Sequence, residues 1–233
     1  MERDLIELIA ASIAFVGTHF AMSHPLRASL VRRLGQGGFM IAYSLVSAAC
    51  MAWMYFAFTG VHLPMTPLWS GFDDVSWAVA SVLTLVAMVL FTGSLMGNPA
   101  LPAPGGQKGA QELAMSKSAN GVFAVTRHPM MWGFALWALA HIIAAPTART
   151  LVVASAIGFL ALVGAHMQDR KKKALMGGAW REWEGKTTYW PRWSQLPKAG
   201  VIPWAGGIAL WLAATYAHLP LGGWAAGIWR WVS

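Results

Sequence analysis

The stretch Thr126–Pro146, TRHPMMWGFALWALAHIIAAP, decides the fold class. An arginine, a histidine and a proline head a run apolar enough to lie in lipid, and a second histidine, His141, stands near its far end. Pro129 suits a first helical turn, where its missing N–H goes unmissed. The run is at the short end of what crosses the hydrocarbon as a helix. Pro146 and Thr147 then make a turn and a helix cap, and a second apolar run follows. There Ala154, Gly158, Ala161 and Ala165 recur at helical spacing, the kind of small-residue stripe that lets membrane helices approach closely. The two runs are expected to form a tight hairpin.

Working outward, windows of about 20 apolar residues recur near 5–22, 39–60, 75–97, 129–146, 149–167 and 201–219. The first is also short, and Pro203 with two glycines weakens the start of the sixth. Composition agrees: 57% of the 233 residues are hydrophobic and 11% charged, where soluble domains carry about 25% charge. Mean hydropathy is +0.50. The expectation is an all-α, polytopic transmembrane bundle of about six spans, one domain over residues 1–233. The opening MERDLIELIAASIAF has an acidic rather than basic start, so it reads as a retained span and not a cleaved signal peptide. A single cysteine, Cys50, leaves no intrachain disulfide and no cysteine-based zinc site.

Charge sets the orientation. With both termini non-cytoplasmic, segments 23–38, 98–128 and 168–200 lie inside and hold fourteen of the 17 Lys and Arg residues; Arg3, Arg149 and Arg230 lie outside. That is the positive-inside pattern. The net charge of +8 is therefore an orientation signal facing the lipid bilayer, and nucleic acid is not an expected partner. The inner segment DRKKKALMGGAWREWEGKTTYWPRW mixes cations with Trp180, Trp183, Tyr189, Trp190 and Trp193. It reads as an interfacial anchor, or else as a lid over a site opening inward.

Several chemistries are absent. No Walker loop, HExxH or GxSxG elbow is present. Acidic residues stand only at membrane edges, so no buried carboxylate relay is expected. Histidines remain: His19, His24, His62, His128, His141, His166 and His218 all lie in or beside apolar runs. Ionisable groups there are costly and suggest function, and neutral imidazole is a common metal ligand. By depth, His19, His24, His128 and His166 fall toward the inner side, and His62, His141 and His218 toward the outer. His128 and His141 are 13 residues apart, which on one helix is roughly 20 Å of rise and about 220° of rotation. They cannot share an ion; each needs partners from other spans. Arg127, His128 and Pro129 mark the cytoplasmic entry of the fourth span, with the cation in reach of headgroups or an anionic ligand.

The block RHPMMWGFALWALAH, with THFAMSHPLRASLVRRLGQGGFMIAYSLVS (18–47) and GAHMQDRKKKALMGGAWREWEGKTTYWP (164–191), resembles the NnrU family of bacterial membrane proteins over most of the chain. That family includes the plant 15-cis-zeta-carotene isomerase, a membrane enzyme using b-type haem, and is associated with nitrite and nitric oxide metabolism, hence denitrification. The resemblance implies a bacterial inner (plasma) membrane location and a haem b site. Its implied ligands are His19, after the first apolar run, and His141, in WALAH; His62 is a looser third match. Haem iron takes axial imidazole readily. Phe134 and Trp137 lie at i−7 and i−4 from His141 and could wall a macrocycle. Depth favours His62 with His141, because His19 falls near the opposite membrane face from His141.

A second resemblance is to membrane methyltransferases of the isoprenylcysteine and phospholipid type. There an R-[HN]-P-x-Y-x-G helix start and a later acidic pair bind S-adenosylmethionine. Here the aromatic is Trp132, ahead of Gly133, and the acidic pair is replaced by Gln168 and Asp169, followed by Arg170. Three functions are therefore weighed: a haem-dependent isomerase or redox protein acting on a hydrophobic small molecule or a nitrogen oxide, an S-adenosylmethionine-dependent methyltransferase of a lipid or prenyl substrate, and a non-catalytic factor or transporter serving nitric oxide metabolism.

Overall fold

The computed structural model describes residues 2–61 and 66–232, all helix and connecting loop without a strand among them. The long helices are α1 (Glu2–Ser23), α2 (Arg27–Gly60), α3 (Asp74–Ser94), α6 (Pro129–Ala144), α7 (Ala148–Met176) and α9 (Val201–Tyr216). Shorter ones are α4 (Gly106–Ser116), α5 (Val122–Val125), α8 (Gly178–Lys186), a 3-10 helix Trp193–Ala199, α10 (His218–Gly222) and α11 (Trp229–Val232).

Among the described residues four helices are long and apolar enough to cross a membrane: Arg3–Ser23, Arg27–Gly60, Asp74–Ser94 and Ala148–Met176. A fifth candidate is the pair Trp193–Ala199 and Val201–Gly222, bent by 93°. The remaining expected span, α6, has 16 residues. At about 1.5 Å per residue it is roughly 24 Å long, short of a hydrocarbon core of about 30 Å. The sequence starts the second span near residue 39, but the helix begins at Arg27. Gly35 interrupts it at φ 71° and ψ 171°, a conformation glycine adopts without strain.

The long helices pack in the order α2, α1, α7, α6, α3, α9. The expected hairpin of α6 and α7 is present: Ala154, Ala161 and Ala165 are buried, and a Cβ on Gly158 would stand 3.3 Å from the Cβ of Ala138. The α3–α6 contact is closer still. A Cβ on Gly133 would lie 2.9 Å from the backbone oxygen of Ala87, so the motif glycine is where two backbones nearly touch. Asp73 caps α3 by accepting from the Ser76 backbone N–H at 3.0 Å, and Thr147 caps α7 by accepting from that of Thr150 at 3.4 Å.

At the basic end α4, α5, α8 and the 3-10 helix form a packed cap around Phe123, Trp180 and Trp183. The aromatic inner segment is thus divided. Trp180 and Trp183 are fully buried, whereas Trp190 is 72% exposed and Trp193 also lies outward. Only the second pair matches an interfacial anchor.

Candidate functional site

Two groups of polar side chains flank the basic end of α7. The first is closed. Arg127 directs Nε at both Asp169 carboxylate oxygens (3.0 and 2.9 Å) and Nη2 at Oδ2 (2.5 Å). Its Nη2 also reaches Glu184 at 3.5 Å, and Lys173 pairs with Glu184 at 3.0 Å. His128, 1% exposed, sets Nε2 2.7 Å from Asp169 Oδ1. The backbone positions these groups: the Arg127 N–H donates to the Thr188 carbonyl at 2.8 Å, and the Thr126 hydroxyl donates to the Tyr189 carbonyl at 2.8 Å. The Trp132 indole N–H donates to that same Tyr189 carbonyl at 3.1 Å. The Arg127 guanidinium lies 5.4 Å from the Tyr189 ring centre. Burial first, then the Asp169 carboxylate, holds the Tyr189 phenol above its usual range.

Two expectations change here. The Arg127 side chain is 11% exposed and ion-paired, so it does not extend to headgroups. Asp169, which sequence reading left as a membrane-edge residue, is buried. Carboxylate and guanidinium satisfy each other because neither can be left alone out of water. The cluster ties α6, α7 and α8 together, and its acid is fully engaged.

The second group is open. A cavity of about 1430 Å³ lies between α1 and α2 on one side and α3, α6 and α7 on the other, above the roughly 300–1,000 Å³ of ordinary small-molecule pockets. Its walls are mostly apolar and include Phe15, Phe91, Phe134 and Trp137. His19 stands on the α1 wall with Nδ1 2.7 Å from the Phe15 carbonyl oxygen. That bond makes Nδ1 the protonated nitrogen and leaves Nε2 its lone pair. The ring meets Tyr43 edge-on at 5.5 Å.

At the basic end the lining changes to Arg27, Lys171 and Lys172, with His24, Gln36 and Gln168. Lys172 donates to the Pro99 carbonyl at 3.0 Å and Gln168 to that of Ala100 at 3.1 Å. Arg27 reaches Gln36 Oε1 at 3.4 Å. His24, in the turn between α1 and α2, is held below the usual histidine range by burial and then by Lys171.

The other proposed ligands lie elsewhere. His141 sits at the far end of α6, its Nδ1 2.8 Å from the Trp137 carbonyl oxygen and its ring 4.0 Å from the Trp137 ring. It faces His218 with ring centres 6.3 Å apart, and it is not among the described residues lining the cavity. The described contacts do not bring His19 and His141 together. His62 lies outside the described residues. Among the described residues no group of three or more His, Cys, Asp or Glu side chains could hold a metal ion.

Sequence reading placed Arg27, Lys171 and Lys172 with the orientation signal and missed their common site. A trace was present: Gly164, Gln168, Lys171, Lys172 and Leu175 continue at helical spacing the cavity-facing stripe of Ile157 and Ala161.

Apolar helices of spanning length, packed around a large cavity with His19 on its apolar wall and His24 at its basic end, define a helical membrane protein. A family model described as NnrU protein matches residues 7–226. The chain belongs to the NnrU family. No curated protein and no solved structure matches it.

Proposed function

We propose that the cavity binds haem b, that His19 would hold its iron, and that the protein acts by isomerisation or redox chemistry on a lipophilic molecule drawn from the bilayer. The observation that carries this reading is the His19 Nε2, which has no hydrogen-bond partner among the described residues and stands on the wall of a largely apolar cavity of about 1430 Å³. The residues fit the group. The Phe15 carbonyl fixes the imidazole tautomer, as outer partners of metal-bound histidines do. Phe134 and Trp137 supply flat apolar wall, and Met130 and Met131 add adaptable surface. Bound there, haem would supply an iron centre for electron transfer or for polarising a polyene; the protein's own part is to orient His19, exclude water and shape the space for the second molecule.

The S-adenosylmethionine reading has less support. Asp169, the one acid left of the expected pair, is occupied by Arg127 and His128, and its neighbour Gln168 is bonded to a backbone carbonyl.

Absorption spectroscopy of the detergent-purified protein, produced with adequate haem supply, tests the proposal. A Soret band is expected, lost or strongly weakened in His19→Ala and kept in His141→Ala. Wild-type protein without the band would remove the haem reading. A band abolished by His141→Ala but not by His19→Ala would move the site to the His141–His218 end of the bundle.

A further inference from the structure

The haem reading is carried by His19 and does not draw on the three cations at the cavity's basic end. Arg27, Lys171 and Lys172 line one face of a largely apolar cavity and stand near enough to repel one another. None of them makes an ion pair with a carboxylate among the described residues. All three are half-buried, while their sequence neighbours Arg32, Arg33, Arg170 and Lys173 point outward and are exposed. Three like charges gathered in low-dielectric surroundings are unfavourable unless an anion completes them. The described residues supply none at this cluster.

Hydrogen-bonding capacity points the same way. The Arg27 contact with Gln36, at 3.4 Å, is long. Lys172 gives one bond to Pro99 and, as an ammonium, keeps two further N–H donors. Behind these donors the cavity continues along α2 as far as Met51 and touches Leu210 of α9. Met51 is itself 53% exposed, so the apolar end borders the surface that meets lipid. A ligand fitting this outline has an anionic head at the basic end and a long apolar body that enters from the side. A phosphomonoester, with charge near −1.5 to −2 at neutral pH and three acceptor oxygens, matches three cations better than a phosphodiester or a single carboxylate.

We propose that the cavity takes a lipid with a phosphomonoester head, the phosphate held by Arg27, Lys171 and Lys172 and the chains lying toward Met51 and Leu210. This rests on the cavity being the ligand site, as above, but not on haem. The full chain in detergent is titrated with dioleoyl phosphatidic acid, with diacylglycerol of the same chains, with phosphatidylcholine and with inorganic phosphate, and binding is followed by native mass spectrometry. Phosphatidic acid is expected to bind about tenfold or more tightly than diacylglycerol, with a loss of similar size in each of Arg27→Gln, Lys171→Gln and Lys172→Gln. Arg170→Gln, exposed beside them, is expected to bind as wild type, and circular dichroism confirms that each variant is folded.

Equal binding of phosphatidic acid and diacylglycerol, or unchanged binding in all three variants, would overturn the proposal. So would inorganic phosphate binding as tightly as the lipid, since the site would then serve a free anion. The Soret band separates the two readings. Phosphatidic acid binding by haem-free wild-type protein supports the lipid site even where the haem reading fails. Loss of the band in the cation variants, with lipid binding intact, would assign the cations to haem propionates instead and reject the lipid site.

Discussion

Asp169 and the pair Lys171–Lys172 stand within one turn of α7, yet they belong to opposite electrostatic designs. On one face a buried carboxylate is saturated by Arg127 and His128. On the other, two lysines and Arg27 meet in a cavity with no acid among its described lining residues. A satisfied buried pair contributes rigidity and, for that reason, little room for a ligand. An unsatisfied cluster costs stability in the free protein and is tolerated where binding needs it. The difference marks the first as a joint between helices and the second as a site.

The largest effect expected from this contrast is at the joint. Asp169→Ala leaves buried His128 without its carboxylate and Arg127 with only its 3.5 Å contact to Glu184, and removing one partner of such a pair costs about 3–5 kcal/mol. Thermal unfolding in detergent should show it as a large fall in Tm; a Tm near wild type would mean that the cluster is solvated. Next is Gly133→Ala, which drives a methyl toward the Ala87 carbonyl and should cost about 1–3 kcal/mol, as overpacking does, measured the same way. At the open cluster the sign reverses. Lys171→Gln or Lys172→Gln should leave the ligand-free protein as stable as wild type or more so, by roughly 0–1 kcal/mol for such half-exposed charges. A marked loss of Tm in either variant would make these lysines structural.

The smallest effect is a pH dependence. His24 has its folded-state pKa below the usual histidine value, through burial first and Lys171 second. Between that lowered pKa and the unfolded value near 6.5, the unfolded chain binds more protons than the folded one. Stability is therefore full above about 6.5 and declines as pH falls toward the folded pKa. His24→Gln should flatten the Tm profile from pH 7.5 to 5; an unaltered profile would assign the slope to another group.

Much of the architecture was legible in the chain. Apolar runs of spanning length, the proline opening α6 and the small-residue stripe of α7 encode helices and one hairpin, because periodicity and length are local properties. The Arg27–Lys171–Lys172 cluster was not legible, since its members come from segments more than a hundred residues apart and each has an adequate explanation as a positive-inside residue. Pairing of histidines was equally hidden. His141 faces His218, a residue brought close by the α3–α9 and α3–α6 packing rather than by any spacing in the sequence.

The sequence by itself determined the membrane class, the helical content, the family and the clustering of basic residues at one end of the bundle. Only the tertiary structure decided which charges are spent on one another and which are left to a ligand. Helical period assigns a side chain to a face, but burial, pairing and cavity volume depend on what stands across from that face, and that is fixed only when all the helices are packed together.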